Sequence, residues 1–121
     1  MLGEMGFVWT VGGVRAKTVD YEALKLWRDN GCEVVLYGIE SGSEKMLKVM
    51  EKKITRAENI QALKDTYNAG LSTVIQLVIG MPGETDETIE ETVDFLVETM
   101  KYYPEPFRKN INYLISINYA Q

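Results

Sequence analysis

Cys32-Glu33-Val34-Val35-Leu36-Tyr37-Gly38-Ile39, followed by Glu40-Ser41-Gly42-Ser43, is the segment from which the rest of the chain can be read. Residues 32–39 are too apolar and β-branched to leave a solvated face, which predicts an internal parallel strand covered by helices. The polar, glycine-bearing residues behind them predict a turn that hands this strand over to a helix. Strands of this kind carry function at their carboxyl ends, and Glu40 stands there. A carboxylate on the lip of an apolar element needs a partner. It either accepts from neighbouring backbone or pairs with an arginine, or it holds a ligand.

Upstream, residues 7–14 are apolar and β-rich around Gly12-Gly13 and predict a first strand ending at Arg15, where the guanidinium either faces solvent or meets a carboxylate at the rim. A helix follows over 19–30, opened by Thr18 or Asp20, with Ala23, Leu24 and Trp27 as its apolar face and Gly31 as its terminator. Downstream, Ser43 caps a short helix whose Met46, Leu47 and Met50 share a core face, while Lys45, Lys48, Lys52 and Lys53 keep the other side wet. Thr55-Arg56-Ala57-Glu58 is a capping box for a further helix, buried through Ile60, Leu63 and Tyr67 and ending at Gly70. Residues 72–79 predict a third strand, running into Gly80-Met81-Pro82-Gly83-Glu84-Thr85, with Pro82-Gly83 suited to the centre of a type II turn. Thr85 or Asp86 caps the long helix behind it. Its apolar stripe is Ile89, Val93, Leu96, Val97 and Met100, and its acids Asp86, Glu87, Glu90 and Glu91 crowd the positive end of the dipole, as Glu84 does. After Pro104-Glu105-Pro106, residues 111–120 predict a fourth strand. Tyr102, Tyr103 and Tyr113 suit element ends rather than a stacking platform for bases.

With 121 residues, 45% hydrophobic and 26% charged, the chain is expected to be one soluble domain, residues 1–121. A net charge of −5 without a basic run lacks the footprint of a nucleic-acid binder, so small-molecule chemistry is favoured. Cys32 is the single cysteine and there is no histidine, which leaves neither an internal disulfide nor a metal site and suggests reducing surroundings. The sequence shows neither a membrane-spanning run nor a signal peptide, so a cytoplasmic location is expected.

The predicted order β-α-β-αα-β-α-β calls for parallel strands with right-handed crossovers, and four such units make half of an eight-unit barrel of about 250 residues. Strand parity favours this half barrel over a doubly wound sheet. Thr10 and Gly12, Gly38 and Glu40, Gln76, Val78 and Gly80, and Ser116 and Asn118 share one face that is small and polar toward the carboxyl end. The opposite parity, including Val35, Ile39, Ile75, Leu77, Ile79, Ile115 and Ile117, is apolar and wants helices. A concave, lumen-like face lined for a ligand accounts for this pattern.

Gly38-Ile39-Glu40-Ser41-Gly42-Ser43, then Lys53-Ile54-Thr55, then Ile79-Gly80-Met81-Pro82-Gly83-Glu84-Thr85, in this order and at the ends of consecutive strands, resemble the central part of a radical S-adenosylmethionine (SAM) protein. The resemblance runs from about Arg15 to the end and is strongest to the cobalamin-binding and methylthiotransferase-like subgroup. It implies a TIM-like (β/α) barrel of which this chain covers roughly strands three to six. It further implies that Glu40, with Ser41 beside it, binds the ribose hydroxyls of SAM, and that Gln76, Val78 and Gly80 line the adenine pocket with Ser116 and Asn118 nearby. Glu84 sits one residue later than the family's fifth-strand pattern asks. A carboxylate suits two adjacent hydroxyls, and glycine lets a base approach the backbone.

The family's Cys-x3-Cys-x2-Cys loop, whose thiolates hold a [4Fe-4S] cluster, is absent, and Cys32 lies at the wrong end of its strand for that role. The expectation is therefore an internal piece of a longer enzyme, or a truncated product, without a cluster or radical chemistry of its own. The parent would carry SAM, [4Fe-4S] and, in this subgroup, cobalamin, and would cleave SAM reductively to a 5'-deoxyadenosyl radical. The competing expectation is a non-catalytic α/β module that binds a nucleotide or phosphate at residues 80–85, or a half barrel that acts only in assembly. Open edges and an open concave face predict self-association, besides pairing with the missing remainder of the barrel.

Overall fold

The computed structural model describes residues 8–104 and 110–118. Strands β1 (Trp9–Val14), β2 (Cys32–Glu40), β3 (Ser72–Ile79) and β4 (Ile111–Ile117) form one parallel sheet in chain order. The connections carry helices α1 (Tyr21–Asp29), α2 (Glu44–Val49), α3 (Arg56–Asn68) and α4 (Asp86–Met100). An order that never reverses has no topological switch point, so the chain is the four-unit arc of an α/β barrel rather than a doubly wound sheet.

The helices start where side-chain acceptors supply the missing partners of the first turn. Asp20 accepts from the Ala23 amide, Ser43 from Met46, and Thr55 pairs reciprocally with Glu58 as a capping box. Thr85 and Thr88 form the equivalent box on α4. A single 3-10 turn, Ala16–Thr18, precedes α1, which begins at Tyr21 rather than at residue 19. Phe7 and residues 119–120, expected in the outer strands, lie outside the described residues.

The predicted parity holds in the two central strands. Val35, Tyr37 and Ile39, and Thr73, Ile75 and Leu77, are buried against the helices, where Leu24, Leu63 and Phe95 complete the core. Their even-numbered neighbours, among them Leu36, Gly38 and Gln76, stay partly exposed on the other face.

Three expectations are corrected. On α4 the buried stripe is Thr88, Thr92, Phe95 and Thr99, while Val93 and Val97 are 50% and 52% exposed. The heptad-like spacing was right but rotated by one position, because threonine buries its methyl group and satisfies its hydroxyl locally, as Thr99 does on the Leu96 carbonyl at 2.9 Å. On β4, Ile115 and Ile117 are 46% and 57% exposed, since α4 meets this edge strand nearer its start, at Tyr113, whose hydroxyl lies 3.0 Å from Thr99 Oγ1. Lys52 and Lys53 do not flank α2, which ends at Val49; they belong to the link that follows it.

Candidate functional site

Glu40 owes its position to an irregularity. The β2–β3 register runs Gly38↔Gln76 and then Glu40↔Leu77, so β2 carries an extra residue at its carboxyl end. The Ser41 amide donates to the Ile39 carbonyl at 2.9 Å and closes a three-residue turn on Glu40, whose φ is 71°. A γ-turn with positive φ at its centre is rare and strained, and a glutamate has no local reason to adopt it. The turn throws the carboxylate over the open face: Glu40 Oε1 lies 3.6 Å from where a Cβ on Gly38 would stand, and 3.6 Å from Lys52 Nζ.

Behind Glu40 the turn is fastened to α4. Thr92 Oγ1 accepts from the Gly42 amide at 3.1 Å and shares a hydrogen with Ser41 Oγ at 3.2 Å. Ser41 Oγ also accepts from the Ser43 amide at 3.1 Å, and Ser43 Oγ donates to Glu91 at 3.0 Å. The approach is so close that a Cβ on Gly42 would fall 2.4 Å from Phe95 Cβ and 2.9 Å from Thr92 Cα. Ser41 is thus buried with its hydroxyl spent on the turn's support.

Beside Glu40, a cleft of about 600 Å³ opens among Arg15, Lys17, Gly38, Lys52, Lys53 and Asn59. Lys17 Nζ donates to the Lys53 carbonyl at 3.0 Å, tying the segment after β1 to the link after α2. Asn59, from α3, is 1% exposed, and its Nδ2 has no partner among the described residues. The cleft gathers four cationic side chains in a chain whose net charge is −5. Lys17 and Asn59 escaped the sequence reading, and Lys52 entered it only as part of the wet side of α2. The one available signal was Lys52-Lys53 lying between a short helix and the Thr55 cap, hence in a link at the rim.

On the open face, Gln76 pairs in register with Gly38 and Leu114, and Val78 with Ser116. Gly80 leaves β3 with φ 90°, and the Asn118 amide extends the ladder to the Ile79 carbonyl at 2.8 Å while its side chain reaches Met81 Sδ at 3.5 Å. Glycine, Gln76, Val78, Ser116 and Asn118 therefore form one continuous strip leading from Glu40 across the strand ends. Glu84 accepts from the Thr88 hydroxyl and serves the start of α4. Tyr103 is buried and donates to the Leu71 carbonyl at 2.9 Å, a structural role. Cys32 is buried at the opposite end of β2 from Glu40, where burial pushes its thiol up.

Comparison with known proteins fits this geometry. The chain is 36% identical over 87 residues to an uncharacterized methyltransferase of Pyrococcus horikoshii, a match covering 72% of this chain and 19% of that protein. It is 33% identical over 96 residues to the tRNA-2-methylthio-N(6)-dimethylallyladenosine synthase of Koribacter versatilis, covering 71% of this chain and 22% of the relative. Among solved structures, the cobalamin-dependent S-adenosylmethionine radical enzyme OxsB superposes with a TM-score of 0.62 at 27% identity, over 74% of this chain and 14% of that one. The radical S-adenosylmethionine methyltransferase TsrM from Kitasatospora setae shares the fold at a TM-score of 0.69 and 19% identity, over 89% and 20%. The chain spans about a fifth of the length of its curated relatives. The radical SAM superfamily matches residues 2–96, which include β1, β2, β3 and most of α4, and on that match the chain belongs to the radical SAM superfamily.

Proposed function

We propose that this chain supplies the ribose and adenine side of the SAM pocket of a radical SAM enzyme, with Glu40 accepting from the ribose hydroxyls and Val78 and Gly80 flanking the adenine. Gln76, Ser116 and Asn118 line the same strip. The observation that carries this reading is the strained turn at Glu40, which turns a carboxylate out over the open face where glycine would sit without cost. Such strain persists only where the surroundings enforce it.

The residues present fit SAM: the cationic cleft and the orphaned Asn59 donor suit the carboxylate of its methionyl end, and the strip of small groups suits its adenosine end. When bound, SAM supplies a sulfonium centre open to reductive cleavage. This chain's own part is to hold the sugar and the base. A [4Fe-4S] cluster does not fit the donors here, since its three thiolates cannot come from one buried cysteine. Cluster, cobalamin and the parent enzyme's radical reaction therefore belong to other segments, and the chain alone is expected to be inactive. A phosphate site at residues 80–85 is disfavoured, because Glu84, Asp86 and Glu87 put carboxylates at that helix start and Thr85 and Thr88 already occupy its amides.

Calorimetric titration tests the reading. Adenosine is expected to bind the full chain, ATP no more tightly, and Glu40→Gln to weaken adenosine roughly tenfold through loss of charge-assisted hydrogen bonds. Tighter binding of ATP or phosphate, or an unchanged affinity in Glu40→Gln, would overturn it.

The chain is also expected to self-associate. β4 is an edge strand with Leu114, Ile115 and Ile117 about half exposed, and β1 forms the other edge. Sedimentation velocity should show a concentration-dependent shift toward dimer or larger species; a single monomeric boundary across the accessible range would contradict it. No described helix is long and apolar enough to cross a membrane.

A further inference from the structure

We infer that Thr92 is a positioning residue that holds Glu40 in its outward-facing turn, and that through it α4 couples the sugar side of the pocket to the base side. The role assigned to Glu40 rests on the function proposed above; the latch itself rests on geometry alone. A glutamate at φ 71° falls back to an ordinary conformation unless its neighbours forbid it. The residues that forbid it follow immediately: Gly42, whose amide is donated to Thr92 Oγ1 at 3.1 Å, and Ser41, whose hydroxyl meets the same oxygen at 3.2 Å.

Thr92 is buried, so this oxygen is the local acceptor in place of water. The missing side chain at Gly42 lets α4 come this near, and Glu91 holds Ser43 from the adjoining position. α4 is at the same time the element into which the Gly80 turn runs, through the Thr85 cap. Thr92 lies seven residues beyond that cap, about 10 Å along the helix axis. A shift of α4 therefore moves the base-side turn and releases or tightens the Glu40 turn together. No local pattern signals this role, since Thr92 sits among acids and its partners are 50 and 51 residues away.

The test compares Thr92→Val, which keeps the shape and removes the hydroxyl, with Thr92→Ser, which keeps the hydroxyl. Amide hydrogen exchange is the first readout, because the Ser41 amide closes the turn on Glu40 and the Gly42 amide binds Thr92. In Thr92→Val both amides should exchange at least about tenfold faster than any change in urea-measured global stability explains. Thr92→Ser should restore their protection. Unchanged Ser41 protection in folded Thr92→Val, or equal acceleration in Thr92→Ser, would overturn the latch.

The second readout is the ratio of affinities for adenosine and 2',3'-dideoxyadenosine, which isolates the grip on the sugar hydroxyls. Thr92→Val should collapse that ratio toward one while leaving dideoxyadenosine binding unchanged, and Thr92→Ser should preserve it. Glu40→Gln separates the two failures. A ratio unmoved by Glu40→Gln, or no adenosine binding to the native chain, overturns the ribose role and leaves the latch to be judged by exchange. A ratio that falls in Glu40→Gln but not in Thr92→Val overturns the coupling.

Discussion

Gly42→Ala is expected to destabilise the chain by about 3 kcal/mol, the upper end of what overpacking a rigid site costs. The added methyl would stand 2.4 Å from Phe95 Cβ and 2.9 Å from Thr92 Cα, and neither atom can swing aside as the tip of a flexible side chain would. Either α4 moves off the sheet or the turn after β2 unravels, and each breaks the hydrogen bonds to Thr92. The second-site change Phe95→Ala should not rescue it, because it retains the Cβ that is struck. On its own Phe95→Ala should cost a further 3 kcal/mol or so as a cavity. Urea denaturation of the single and double variants checks this: the two losses should combine without compensation. A Gly42→Ala midpoint equal to the native one would show that the approach of α4 is looser than described.

Alkaline pH should unfold the chain through its buried phenols. Tyr37 is fully buried and 2.7 Å from Thr66 Oγ1. The Thr66 proton is committed to the Ala62 carbonyl at 2.6 Å, so Tyr37 is the donor and has to stay protonated. Burial holds its phenol up to about 12, and pushes those of Tyr103 and Tyr113 upward too. A folded-state value above the unfolded one of about 10 means that the unfolded chain gives up its proton first. The stabilisation is therefore complete below pH 10 and disappears as pH rises through about 12, amounting to about 2–3 kcal/mol for Tyr37 alone. Urea midpoints should be level from pH 7 to 9 and fall steeply above 10. The Tyr37→Phe/Tyr103→Phe double variant should start lower by about 1 kcal/mol per lost hydrogen bond and then fall less steeply. A native profile that stays flat to pH 11.5, or an unaltered slope in the double variant, would contradict the assignment.

The skeleton of the fold was legible because its signals are local. The run from Cys32 to Ile39, the Thr55–Glu58 capping box and the Thr85 cap each specify their element from a few adjacent residues, and β3 matches its expected range, Ser72–Ile79. Parity then predicted the open face correctly in β2 and β3, where helices cover the other side. It failed at Ile115 and Ile117 because the cover such residues need is not part of their own strand's pattern. It failed on α4 because the five residues chosen by hydropathy concealed the stripe of threonines and Phe95 that packs. Glu40 was found from its place at a strand end, but its backbone conformation was invisible: the bulge depends on β3 and the turn on α4. The cationic cleft was invisible for the same reason, since Arg15 after β1, Lys52 after α2 and Asn59 on α3 come together from separate places in the chain.

The fastening of residues 41–43 to α4 also sets an order of events in biosynthesis. Synthesis proceeds from the amino terminus, and β2 is complete some 50 residues before the hydroxyl that receives the Gly42 amide has been made. Until then nothing opposes relaxation of Glu40, and the long chain segment between the partners adds a loop-closure cost to the last step. A nascent chain paused before α4 thus carries β2 with an unset carboxylate, and acquires its outward-facing geometry only when the fourth helix docks.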